Sequence, residues 1–200
     1  MKELQGFGDR AEVSHGTSVT SGESVGIEGY YHVECRDKDG NFKWEESFPN
    51  LVNAIGKQLL LDTLLRTSGT YTTVGPFLGL INSSPTFLAA DTMTSHAGWT
   101  EFTAYLVSAS PVRGTAVFGA ATSSGLSPAN ITSSLATAIT YTITGIGGTV
   151  AGCFLVTGSG AVSTQSSTAG TLYSAGAFGT PKTTTIGDTV AVTYSTTATS

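Results

Sequence analysis

The sequence predicts a mainly β protein: a β-sandwich or jelly roll with one helix and an extended N-terminal arm. Three observations lead there. Short apolar stretches alternate with period two and are separated by glycine-rich turns. Only residues 51–66 hold apolar positions at sustained helical spacing. Residues 1–26 are polar, rich in Gly and Ser, and follow neither period. Many short strands with one helix suit two stacked sheets, and no internal repeat at a fixed period is visible. A chain of 200 residues is long enough to bury a sizeable core.

The arm takes residues 1–29 and the sandwich domain residues 30–200. Leu4, Phe7, Val13, Val19 and Val25 are nearly the whole apolar supply of the arm and are too scattered to form one face. Ordering a chain costs roughly 1–2 kcal/mol per residue. The arm is therefore expected to order only against a partner, for example by adding a strand to a neighbour's sheet edge. These five side chains are the candidate partner contacts.

Residues 30–48 read as a hairpin. Tyr31, Val33 and Cys35 share one face, and Phe42, Trp44 and Phe48 share the facing side of the return strand. Asp39-Gly40 is the turn signal. A two-residue loop would set Cys35 opposite Trp44 and Tyr31 opposite Phe48. A two-residue loop would also set Glu34 against Glu45 and Arg36 against Lys43, so a bulge or a longer loop is an alternative. The helix follows over 51–66, with Asn50 as its N-cap and Gly69 as a stop. Leu51, Val52, Ile55, Leu59, Leu60, Leu64 and Leu65 form its stripe, and a core position is expected.

Further on, Phe77 to Ile81 and Thr115 to Phe118 read as strands, and Ser95 to Trp99 as a helical turn. Ile139, Tyr141 and Ile143 alternate with threonines, the pattern of a half-exposed strand. Gly145-Ile146-Gly147-Gly148 turns the chain. Val150 to Val156 is apolar on both faces, which suits a strand covered on both sides. Gly187-Asp188 leads into a last strand with Val190, Val192 and Tyr194 on one face.

Charge divides the chain unevenly. Of 9 Lys and Arg, 7 lie in residues 1–66, as do 11 of 14 Asp and Glu. Only Asp91, Glu101, Arg113, Lys182 and Asp188 carry charge afterwards, in a stretch with 30 Thr and 18 Ser. Surface charge normally keeps proteins apart. A surface of Thr, Ser, Gly and Ala is cheaper to desolvate and suits burial against other subunits. The net charge of −5 argues against a nucleic-acid partner, because phosphate neutralisation needs a basic field. No apolar run reaches the roughly 18 residues of a membrane helix. Met1-Lys2-Glu3-Leu4-Gln5 lacks the apolar core of a secretory leader.

The motifs of common chemistry are incomplete. Asp37, Asp39 and Asn41 match the first ligands of a calcium loop, but Phe42 and Phe48 stand where Gly and Glu are required. A hairpin turn is the better reading. His15, His32, His96, Cys35 and Cys153 form no close ligand pair, and the two cysteines lie in apolar strand patterns as small hydrophobes. Gly56-Lys57 is followed by Gln58 and lacks the phosphate-loop glycine upstream. Asp91, Glu101 and Asp188 are the only acids after residue 66, and nothing in their spacing selects a catalytic pair. No catalytic residue, cofactor or metal is expected, and the chain is not read as an enzyme.

Several stretches carry a resemblance. They are Tyr31-His32-Val33-Glu34-Cys35-Arg36-Asp37-Lys38-Asp39-Gly40-Asn41-Phe42-Lys43-Trp44, Asn50-Leu51-Val52 and Gly56-Lys57-Gln58-Leu59-Leu60-Leu61-Asp62. Ser95-His96-Ala97-Gly98-Trp99, Gly152-Cys153-Phe154 and Gly187-Asp188-Thr189-Val190 belong with them. Over most of residues 30–194 the chain resembles a group of tailed-bacteriophage virion structural proteins. The resemblance implies a capsid cement, or decoration, protein on the outer surface of the head, made and assembled in the host cytoplasm. It implies the major capsid protein as partner; the charge-poor surface adds the expectation of self-association into a homo-oligomer, and neither nucleic acid nor a membrane is expected as a partner. A tail or fibre component involved in assembly or host attachment is the alternative. A fibre would be expected to show trimeric repeats or a coiled coil, and neither is visible.

Overall fold

The computed structural model describes residues 26–65, 75–82, 85–124 and 130–199. Leu4, Phe7, Val13, Val19 and Val25, and with them the arm reading of residues 1–25, lie outside the described residues.

The elements follow in order as β1 (Gly26–Arg36), β2 (Phe42–Pro49), β3 (Leu51–Val52), α1 (Ala54–Leu65), β4 (Phe77–Asn82), β5 (Thr100–Phe102) and β6 (Tyr105–Leu106). Then come β7 (Gly114–Thr115), β8 (Thr122–Ser124), β9 (Asn130–Ser134), β10 (Ile139–Ile143), β11 (Gly148–Thr157), β12 (Thr171–Thr184) and β13 (Thr189–Thr199). They build a β-sandwich of two antiparallel sheets. The first runs β2-β1-β13-β10-β6, with β9 on the far half of β13 and β8 on β9. The second runs β3-β12-β11-β4-β5, with β7 also on β4.

Alternation builds the core. Tyr31, Val33 and Cys35 pair with Tyr194, Val192 and Val190, and all six are buried between the sheets. Tyr141, Ile143, Leu78, Leu80, Cys153 and Leu155 fill the same layer. The outer face of β11 is covered as well. Phe154 and Val156 pack with Ile81, Leu172, Met93, Trp99 and Ala161, which come partly from the segments before β5 and after β11. The doubly apolar sequence of β11 thus matches its cover on both faces.

The hairpin register follows the sequence pattern, with Cys35 opposite Trp44 and Tyr31 opposite Phe48. A bulge between Cys35 and Arg36 sets Arg36 opposite Phe42 and takes it out of line with Lys43. Glu34 does face Glu45, and Arg36 reaches back along its own strand to pair with Glu34. Asp37 closes the turn by accepting from the amides of Asp39 (2.9 Å) and Asn41 (2.8 Å) and from Asn41 Nδ2 (2.9 Å). Those bonds, the Asn41 side chain foremost, hold its carboxyl below the usual aspartate range. Trp44 packs edge-on to Phe178 of the other sheet, with ring centroids 5.5 Å apart. Phe42 lies past the bulge and is 55% exposed, so it does not share the packed face of Trp44 as the alternation suggested.

Other expectations are corrected. Gly26–Gly29, read as the end of the arm, are strand residues of β1 hydrogen-bonded to β13. The helix starts later than expected, because Leu51 and Val52 pair with Ala175 and Ser174 at the edge of the second sheet. Asn50 does not cap it and donates instead to the Tyr194 hydroxyl, at 3.0 Å. Asn53 stands at the cap position, where its carbonyl accepts from Lys57. Nor is α1 a core helix. Gly56 is its one buried residue among those with described side chains, and Ile55, Leu60, Leu61 and Leu65 are exposed. It sits at Gly56 against the backbone of Tyr173, where a Cβ would lie 2.5 Å from the Tyr173 carbonyl. Ser95 to Trp99 is an irregular hydrogen-bonded turn and not helical. Of Thr115 to Phe118 only Thr115 lies in a named strand, while Phe118 bridges to Leu135.

Candidate functional site

Each of the five charges after residue 66 is buried or paired within the fold. Arg113 is 1% exposed and forms a two-pronged pair with the buried Glu101 carboxylate, Nε to Oε1 at 3.0 Å and Nη2 to Oε2 at 2.7 Å. Nη2 also donates to the Ser167 carbonyl at 2.8 Å, and the Ser166 amide donates to Glu101 Oε2 at 2.8 Å. The pair therefore fastens the loop that carries Ser166 and Ser167 to the second sheet. Tyr105 completes the cluster 3.4 Å from Oε1, and burial followed by the Glu101 charge raises its pKa.

Asp188, also buried, receives Lys43 from the hairpin and the Thr185 amide at 2.8 Å. Burial alone would raise its pKa, but those hydrogen bonds and the Lys43 charge outweigh it and hold the value below the ordinary aspartate level. Lys182 pairs with Glu46 at 2.8 Å. Asp91 is buried and accepts from the Leu88 amide at 3.0 Å. Among the described residues from 75 to 199, the exposed surface therefore offers no unpaired charged side chain. The outer face of the first sheet shows the result, with Thr140, Thr142, Ala191 and Thr193 laid side by side on β10 and β13. Charge is gathered instead on the β1–β2 hairpin and α1, where Lys43, Glu45 and Glu46 line the terminal strand of the sheet and guard it against edge pairing.

The Glu101–Arg113 pair is the most chemically suggestive cluster, and it is built as a brace. Both carboxylate oxygens are engaged. Arg113 Nη1 and the nearby Trp99 Nε1 are buried without a partner, yet neither is open to the shallow hollow beside them. The guanidinium carbon lies 5.0 Å from the centroid of the Phe154 ring, within cation–π range. No three of the described His, Cys, Asp and Glu side chains gather as metal ligands. Cys35 and Cys153 are buried thiols, and burial pushes Cys35 up to about 11 and Cys153 higher still, which disfavours the reactive thiolate.

An open apolar hollow lies elsewhere. Near the Gly26 end of β1 and the Thr199 end of β13, an open hollow of about 340 Å³ is lined by both sheets. Ile27, Leu60, Phe118, Leu155, Tyr173 and Ala198 line it. Sequence reasoning missed this surface. A signal was present in Leu59, Leu60 and Leu61, since three successive leucines on a helix project in three directions and cannot all face one core. Compared with known proteins, the chain matches no family model, no curated protein and no solved structure.

Proposed function

We propose that this protein is a non-enzymatic structural component of a large assembly, and specifically a cement protein that binds and stabilises a shell of major capsid protein in a tailed bacteriophage. The observation that carries the reading is the surface of residues 75–199, on which no unpaired charge is displayed. Such a surface loses little hydration energy when covered, whereas a solitary domain normally keeps charge on every side. The resemblance in residues 30–194 supplies the kind of partner. The charged hairpin and helix give the molecule a side suited to water while the Thr-rich faces meet protein.

Copy number and shell binding test this. Purified protein mixed with shells of the major capsid protein should co-sediment saturably in many copies per shell and raise the temperature at which shells rupture. Deleting residues 1–25 should weaken that binding and leave the domain's own melting temperature nearly unchanged. Confinement of labelled protein to the tail, in a few copies, would favour the tail alternative. Robust turnover of an ester, phosphoester, peptide or glycan, abolished by a single substitution, would refute the structural reading altogether.

A further inference from the structure

The chain between β11 and β12, residues 158–170, lies on the outer face of the second sheet as a strap. Its ends are tied, because Thr157 pairs with Thr171 across β11 and β12. Gly158 and Gly170, just inside that pair, take φ +84° and +93°, a region that glycine enters without strain. Torsion at these two residues can swing the strap while the strand register stays as it is. Beneath it, Ala161 packs in the outer apolar layer with Phe154, Val156 and Leu172. The fit there is close, since a Cβ at Gly170 would lie 2.8 Å from Ala161 Cα and 2.9 Å from Val156 Cγ2.

Away from the two glycines, one cluster fastens the strap. The Ser166 amide donates to Glu101 Oε2, and the Ser167 carbonyl accepts from Arg113 Nη2, both at 2.8 Å. The Ser163 carbonyl accepts from the Arg113 amide at 2.6 Å, and Thr164 forms a β-bridge with Val112. Gln165 Nε2 donates to the Tyr105 carbonyl at 3.1 Å. Most of these contacts depend on where Arg113 lies, and Glu101 holds Arg113 in place.

Arg113 and Tyr105 are the charged or titratable groups bonded to Glu101, while β4 and β11 bring the uncharged Gly79 and Phe154 to the cluster. His96 lies across the neighbouring hollow, stacked on Trp99 and bonded through Nδ1 to the Trp99 carbonyl. The contacts to Glu101 all come from N–H and O–H donors, which favour the carboxylate over the acid. Protonating Glu101 would leave the Arg113 charge buried without its counter-ion, a costly state. Arg113 Nη1 has no partner while the strap is shut, so water admitted by opening serves that N–H as well as the stranded charge.

We propose that residues 158–170 form an acid-opened strap. Ionised Glu101 holds it shut through Arg113, and proton uptake by Glu101 releases it as a unit and uncovers Val156 and Leu172 on the outer face of the second sheet. The charged form is the shut one, so the strap is closed at neutral pH and opens as pH falls. This inference rests on the second sheet and its cover, not on the shell reading.

Hydrogen exchange of the full-length protein tests it, read by mass spectrometry as protection factors for the strap, with β10 and β13 as internal references. Glu101→Gln keeps the shape of the side chain and removes its charge. At pH 7 that variant should show strap protection lower by about tenfold or more, while β10 and β13 keep theirs. In wild-type protein the strap should lose protection likewise between pH 7 and about pH 3, where ordinary carboxylates are protonated. The variant's strap should show no such fall. Wild-type strap protection that holds over that range overturns the proposal without recourse to any variant. So does loss of strap and β13 protection together, which would make the Glu101–Arg113 pair a brace of the whole domain and not a latch. A pH response of the strap that survives in Glu101→Gln also overturns it, by assigning the response to His96 or Asp91.

Discussion

Replacing Arg113 by Met is expected to be among the most damaging single changes in this protein. The side chain is 1% exposed and makes three charge-assisted contacts, two to Glu101 and one to the Ser167 carbonyl. Met fills much of the same volume against Phe154, so little of the loss comes from a cavity. The damage is electrostatic: Glu101 is left buried with only the Ser166 amide and the Tyr105 hydroxyl for company. Removing one partner of a buried pair costs about 3–5 kcal/mol. A domain near this size loses roughly 2–4 °C of melting temperature per kcal/mol, so a fall of roughly 6–20 °C follows. Urea and thermal melts followed by circular dichroism at pH 7 measure it. Arg113→Met/Glu101→Gln removes the stranded charge and should recover more than half of the loss, since an ion pair replaced as a unit is often nearly neutral. A single variant that melts within about 2 °C of wild type, or a double variant no better than the single, would refute the brace.

Two further outcomes follow from the same geometry. Asp188 has a folded pKa below its unfolded value, so its contribution is complete above about pH 4 and is lost as pH falls through the folded value. Asp188→Asn should therefore destabilise the protein at pH 7, with the gap to wild type closing below about pH 4; urea melts at several pH values read this, and a gap that stays constant to low pH contradicts it. Gly56→Ala should gain roughly 1 kcal/mol of helix propensity, yet the new Cβ meets the Tyr173 carbonyl at 2.5 Å, and backbone cannot yield cheaply. A lower melting temperature is expected, and a higher one would mean that α1 lifts freely from the sheet.

Local pattern and tertiary structure divided the specification of this protein between them. Strict alternation marked the β1–β2 hairpin, β10 and the start of β13, because a period-two apolar series has one face to bury whatever lies across from it. The doubly apolar Val150 to Val156 announced a strand covered on both sides, and it is. The charge map was equally plain, since a count needs no coordinates. The long β12 escaped notice because its Gly, Ala, Ser and Thr residues carry no strong period, and its pairing with β11 and β3 defines it instead. Leu51 and Val52 had helical spacing yet joined the second sheet, since edge pairing with Ser174 and Ala175 offered backbone bonds that outweigh propensity. The fate of the five late charges was invisible for the same reason. Glu101 is separated by 12 residues from Arg113 and by 65 from Ser166, and Asp188 by 145 from Lys43. Only the sheet register brings such distant groups into contact. The sequence alone therefore determined that charge is scarce after residue 66. Tertiary structure decided that each of these charges is buried or paired, which leaves the Thr-rich faces without an unpaired charge.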